Sequence, residues 1–272
     1  MSEKLERLGE LPFWEWPHDG TATVHAALSS DSVDERALAA EVAYHAMSDA
    51  MAEGLVTMLQ AEKDEHAAST AARSLGAALE ACDADEEDAD AADAPLTETC
   101  FESTLSALQA IYGDSARPAA IRRAALEAAA HAPRPWVVQA IEQAFGDADI
   151  DGKVCALFCM SIVRGFEKQL LAALESDVPR VRGQAMYSAA VRSVPAAAPR
   201  ILAAAADADE TRELRVVAVD ALAHLAGDEA AELLSRLSRD SDATIAERAS
   251  LSLEERAEAQ MAADLHRVLE DE

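Results

Sequence analysis

Fifty-one acidic residues against 23 lysines and arginines leave this 272-residue chain with a formal charge of -28, which argues against any broad surface for neutralising nucleic-acid phosphates. Half of the residues are hydrophobic, 64 are alanine and only 4% are aromatic, a composition suited to closely packed helices and not to a β-sandwich. No run of apolar residues is long enough for a membrane span, and the four cysteines form neither a disulfide framework nor a CxxC pair; the expectation is a soluble, cytoplasmic protein with no nucleic-acid or membrane partner.

The first twenty residues read as an N-terminal segment ahead of the main domain. They hold LPFWEWP at 11–17, and Phe13, Trp14 and Trp16 are expected to fold over the first repeat as an aromatic cap, or alternatively to anchor a partner. From residue 21 a repeat sets in. Segments beginning at Glu35, Ala67, Ile121, Lys153, Val181, Leu214 and Ile245 superpose without gaps, at spacings of 32, 54, 32, 28, 33 and 31 residues. Four residues on stand Ala39, Ala71, Ala125, Leu157, Ala185, Ala218 and Ala249; eight on stand Ala43, Leu75, Ala129, Ser161, Ala189, Leu222 and Leu253. Positions 0, 4 and 8 share one helix face, and small side chains there let neighbouring helices approach closely. A shorter apolar stretch precedes each segment, so each unit is helix, turn, helix, with seven hairpins over residues 21–257. Asp64, Asp149, Asp177, Asp207 and Asp240 sit in the expected turns.

The 54-residue spacing marks an insertion at 83–95. Residues 82–95 carry seven acids in fourteen positions, too little apolar surface to offset ordering, so an acidic loop is expected. At the other end no helix breaker stands between Thr244 and Leu269. The last helix therefore continues into an extension at 258–272, where Met261, Leu265, Val268 and Leu269 keep an apolar stripe that caps the array or pairs with a second copy; the chain is expected to be a monomer or a homodimer through this helix.

LLAALESDVPRVRGQAMYSAA at 170–190 and RELRVVAVDALAHLAG at 212–227 resemble HEAT repeats of the PBS-lyase HEAT-like type, with Val181-Arg182 and Leu214-Arg215 opening the second helix. Residues 154–177 further resemble bacterial and archaeal HEAT-repeat proteins of unestablished function. The resemblance covers about 96–257 well and 21–82 weakly. It implies an all-α, right-handed α-α superhelix and leaves function open, because HEAT arrays serve many roles. Arrays of this kind include a di-iron hydroxylase of deoxyhypusine whose ligands come as His-Glu dipeptides; this chain has none. In such arrays an Arg at the second position of the B helix, here Arg36, Arg122, Arg182 and Arg215, bridges to loop carboxylates of adjacent units.

Three acid-x-x-x-His pairs recur at equivalent positions: Glu41 with His45, Glu127 with His131, and Asp220 with His224. On a continuous helix this spacing puts carboxylate and imidazole on one face, able to hydrogen-bond or to offer two ligands to a metal. Two ligands hold no structural ion, so neither metal nor cofactor is expected. The leading expectation is a non-catalytic protein-protein interaction module, not an enzyme. It would bind a basic protein segment on a concave ridge made of Glu41, His45, Glu127, His131, Tyr187, Asp220 and His224. The alternative is an enzyme or metal-dependent lyase of the PBS-lyase HEAT-like type.

Overall fold

The computed structural model describes residues 2–83, 94–147 and 149–270; the centre of the expected acidic loop, residues 84–93, lies outside the described residues. Among the described residues there are fifteen α-helices and no strand, and the chain divides into two compact units, Met1–Glu142 and Gln143–Glu272. Unit 1 contains α1 (Ser2–Glu10), α2 (Gly20–Ala27), α3 (Val33–Ala43), α4 (Asp49–Ala61), α5 (Glu65–Asp83), α6 (Glu98–Gly113), α7 (Ala119–Ala129) and most of α8 (Pro135–Gly146). Unit 2 contains α9 (Ile150–Ile162), α10 (Glu167–Ala173), α11 (Pro179–Val191), α12 (Ala198–Ala206), α13 (Arg212–Leu222), α14 (Asp228–Leu237) and α15 (Ala243–Glu270).

Each unit is two layers deep. In unit 1 the B helices α3, α5 and α7 pack in succession, and the A helices α2, α4 and α6 each lie against the B helix that follows them. In unit 2 the B helices are α9, α11, α13 and α15, backed by α10, α12 and α14. The repeat register explains this packing. In six of the seven B helices the repeat anchor is the third helical residue. All seven side chains at the position four residues later, from Ala39 to Ala249, are completely buried. Alanine at this contact sets a close approach between neighbouring B helices, which a larger side chain would force apart.

Local signals start the helices. Ser32, Ser48, Thr97 and Asp149 each accept a hydrogen bond from a backbone N–H in the first turn, and Pro179 stands at the first position of α11. The loop acids make turns of their own, with Asp207, Asp240 and Asp242 each accepting from the N–H two residues on.

In four hairpins an Arg follows the repeat anchor of the second helix, and at Arg36, Arg182 and Arg215 it reaches toward loop acids of the next unit. Arg36 binds Glu62 through Nε and Nη2 at 2.7 and 2.9 Å and donates through Nη1 to the carbonyl oxygens of Ser30 and Asp31. The Glu62 side chain is 2% exposed and takes two more hydrogen bonds from the N–H groups of Lys63 and Asp64. Arg36 first, helped by those backbone donors against the cost of burial, lowers the Glu62 carboxyl to about 2. Arg215 reaches Asp240 at 2.9 Å, and Arg182 lies 3.8 Å from Glu210.

The N-terminal segment differs from its expected form. The sequence-based cap is Phe13, Trp14 and Trp16, yet Trp14 is 83% exposed and Phe13 49%. What covers the array is α1, which packs on α3 and α2 with Leu5 and Leu8 buried, in the place a preceding B helix would occupy. Phe13 and Trp16 meet edge to face at 5.4 Å, and Trp16 Nε1 donates to the carbonyl of Leu11. At the other end α15 runs on to Glu270 and leaves Met261 exposed. Among the described residues no helix is long and apolar enough to cross a membrane.

Candidate functional site

The three acid-x-x-x-His pairs do not form on helix faces. Helices α3, α7 and α13 are each eleven residues long and end at Ala43, Ala129 and Leu222, so His45, His131 and His224 all lie two residues past the last helical residue. Past the helix end, a spacing of four no longer sets imidazole and carboxylate on one helix face. His131 instead bonds to Glu80 on the preceding B helix, Nδ1 to Oε2 at 3.0 Å, with its ring against Gly76, where a Cβ would come within 2.6 Å of the imidazole. His224 meets the Tyr187 ring edge to face at 5.3 Å. Glu127 is half-buried, and His45 is exposed in a 3-10 turn beside Tyr44.

On unit 2 the expected binding residues are engaged. Asp220 gives both carboxylate oxygens to Arg248, at 2.8 and 2.7 Å. Burial raises the Tyr187 phenol, and the nearby Glu255 and Asp220 carboxylates add to the rise. Cys155 and Cys159 are buried free thiols in α9.

Unit 1 is built differently at the same register. Where α15 supplies Arg248 to pair with Asp220 of α13, α5 has Thr70 facing Glu41 of α3. Where α13 is followed by His224 against Tyr187 of α11, α5 has Ala77. Two small residues thus replace a cation and an imidazole. The result is a cleft of ≈ 370 Å³ between α3 and α5, lined by Glu41, Tyr44 and His45 on one side and by Thr70, Arg73, Ser74 and Ala77 on the other. Thr70 and Ser74 are nearly buried; their hydroxyls donate to the carbonyl oxygens of His66 at 3.0 Å and Ala40 at 2.7 Å. Among the described residues neither Glu41 nor Arg73 takes part in an ion pair. A second cleft, ≈ 410 Å³, lies beside the buried pair of Arg36 and Glu62, but those two groups are already bonded to each other and to loop backbone. Of these two clefts, the one between α3 and α5 is the one whose charged groups are left unpaired among the described residues.

Glu41 and His45 are legible as candidates from their recurrence. Tyr44 and Thr70 are not, because their roles depend on which residues of α5 face α3. Among the described residues no three His, Cys, Asp or Glu side chains gather where a metal ion would be held, so the donors present do not fit the metal-dependent version of the alternative reading.

No family model and no curated protein matches this chain. Solved structures do, and the class they define is the HEAT-like helical fold. YibA of Escherichia coli is similar over 93% of this chain and 85% of its own, at 15% identity and a TM-score of 0.50. Human deoxyhypusine hydroxylase, solved in complex with glycerol, is similar over 93% of this chain and 88% of its own, at 16% identity and a TM-score of 0.40. At these identities the likeness shows the fold alone. The fold is compatible with an enzyme as well as with a binding scaffold, and it does not single out the expected non-catalytic interaction module. That reading, with its ridge for a basic protein segment, is withdrawn: on unit 2 the expected acidic ridge is neutralised at Asp220 by Arg248.

Proposed function

We propose that the protein is an enzyme of HEAT-like architecture acting on a small molecule with an anionic group, held in the cleft between α3 and α5. The observation that carries this reading is the gathering of Glu41, His45 and Arg73 around one cleft, none of them bound to a group of opposite charge among the described residues. Arg73 presents planar N–H donors that match a carboxylate or phosphate. His45 and Glu41 supply groups able to take and return a proton, and imidazole is the side chain best matched to that work near neutral pH. Tyr44, 56% exposed, offers a flat wall beside them. Proton transfer within a bound substrate is the reaction class these residues serve, and no step runs through a metal. The repeats are assigned on Val181-Arg182 and Leu214-Arg215 to the PBS-lyase HEAT-like type, and the four free thiols favour a reducing, cytoplasmic setting.

The test is a thermal-melting screen of the full chain against small carboxylates and phosphates. Compounds that raise the melting temperature are then incubated with the protein and followed by mass spectrometry. Hits should stabilise the wild type and not Arg73→Gln, and their conversion should vanish in His45→Ala. Stabilisation that survives Arg73→Gln, or conversion undiminished in His45→Ala, overturns the assignment.

A further inference from the structure

The same cleft has a polarity pattern that narrows the class of molecule it takes, an inference that rests on reading this cleft as the working site. Glu41 and Arg73 occupy the same register position on two directly packed helices, and no ion pair joins them. Packed helices stand about 8–10 Å apart axis to axis. A carboxylate and a guanidinium thus enter one space from opposite walls without neutralising each other.

The lining between them is not neutral in hydrogen-bonding terms. Ser74 and Thr70 have each committed their only hydroxyl hydrogen to a backbone carbonyl, that of Ala40 and that of His66. A hydroxyl in that state can still accept but can no longer donate. These two side chains, 6% and 4% exposed, therefore offer a ligand only acceptors, the same preference as the Glu41 carboxylate. Arg73 has the opposite character, being donor-only. A simple carboxylate on Arg73 would bring a second negative charge toward Glu41 and leave the hydroxyl acceptors unused. A simple amine would satisfy Glu41 and the hydroxyls while setting its cation near Arg73. A molecule with both charges answers both walls.

We infer that the ligand of this cleft is a small zwitterionic amino acid, its ammonium group toward Glu41, Ser74 and Thr70 and its carboxylate on Arg73. Calorimetric titration of the full chain tests this, using ω-amino acids from glycine to 6-aminohexanoate, each with its matched carboxylate and matched amine. At least one zwitterion should bind, roughly tenfold or more tightly than the carboxylate or the amine of the same length, since each charged hydrogen bond contributes about that factor. Glu41→Gln and Arg73→Gln should each weaken the zwitterion. Glu41→Gln should not weaken the carboxylate, and Arg73→Gln should not weaken the amine. Both residues are exposed, and unchanged melting of the variants separates lost binding from lost folding. If a carboxylate binds as tightly as its zwitterion and Glu41→Gln has no effect, the zwitterion inference falls while anion binding at Arg73 stands. If no compound of the three series binds, and the carboxylates and phosphates of the melting screen fail too, both readings fall.

Discussion

On unit 2, Asp220 is held by Arg248 and His224 rests against Tyr187; on unit 1, Glu41, His45 and Arg73 stand at corresponding positions of the repeat with no partner of opposite charge among the described residues. The backbone register is the same in both places. The difference lies in two side chains of α5, Thr70 and Ala77, where the corresponding residues of unit 2 are Arg248 and His224. A repeat architecture lets one position be neutralised and filled and another be left open by changing a few side chains, with no change in helix packing.

The comparison requires that both units use the same core, and the largest effects test that. Leu75 of α5 and Leu222 of α13 sit at the same register position and are completely buried. Leu75→Ala and Leu222→Ala should each cost roughly 2–5 kcal/mol by losing burial and leaving a cavity. Hydrogen exchange should loosen mainly unit 1 in the first variant and mainly unit 2 in the second. Equal loosening of both units by either variant would break the division into two units.

The loop ion pairs come next and should separate the units in degree. Glu62→Gln leaves the Arg36 guanidinium, 18% exposed, without its carboxylate, and should cost about 3 kcal/mol. Asp240→Asn, at a pair whose side chains are 10% and 17% exposed, should cost about 1–2 kcal/mol. Chemical denaturation of the two variants gives the comparison directly, and an equal loss would remove the distinction.

Acid should reveal the same pair. The Glu62 carboxyl is lowered in the folded protein, from 4.5 to about 2, so its contribution is fully present above pH 4.5 and fades as pH falls through 2. The full span corresponds to about 3 kcal/mol. Asp240 and Asp242 shift in the same direction, the first through the Asp242 N–H and Arg215, the second chiefly through Arg212. Stability measured between pH 5 and 2 should fall less steeply for Glu62→Gln than for the wild type, and parallel curves would show that Glu62 is not the group concerned.

Much of this architecture is written in the alanine column. A residue with almost no side chain, recurring at about one hairpin's length, has few uses other than a close helix contact, and all seven positions proved buried. Helix α1 has no such column. Its signal is two leucines three residues apart among charges, easily overlooked beside the aromatic cluster that follows. That cluster misleads because Phe13–Glu15 form a 3-10 turn between Pro12 and Pro17, which turns Trp14 outward. The histidines mislead for another reason. Spacing of four implies a shared face only while the helix lasts, and the residues after Ala43, Ala129 and Leu222 include no glycine or proline at the first two positions to announce the end. The cleft itself depends on what α5 sets opposite α3, a fact of pairing that no single segment contains.

The smallest effects bear most directly on the contrast between the two sites. His224 is in edge-to-face contact with Tyr187 across two helices, an arrangement worth roughly 0.5–1.5 kcal/mol beyond simple burial. His45 touches only its chain neighbour Tyr44 among aromatic rings, and both are exposed. His224→Ala should therefore lower stability by about 1 kcal/mol, whereas His45→Ala should stay within about 0.5 kcal/mol of the wild type, as for exposed positions generally. Denaturant titration of the two variants side by side resolves a difference of this size when the slopes are equal. A loss at His45 as large as that at His224 would mean that the unit 1 imidazole is also part of the framework. A small loss at His45, with ligand binding or turnover impaired in the same variant, would mark it as a side chain that the fold does not need and the cleft does.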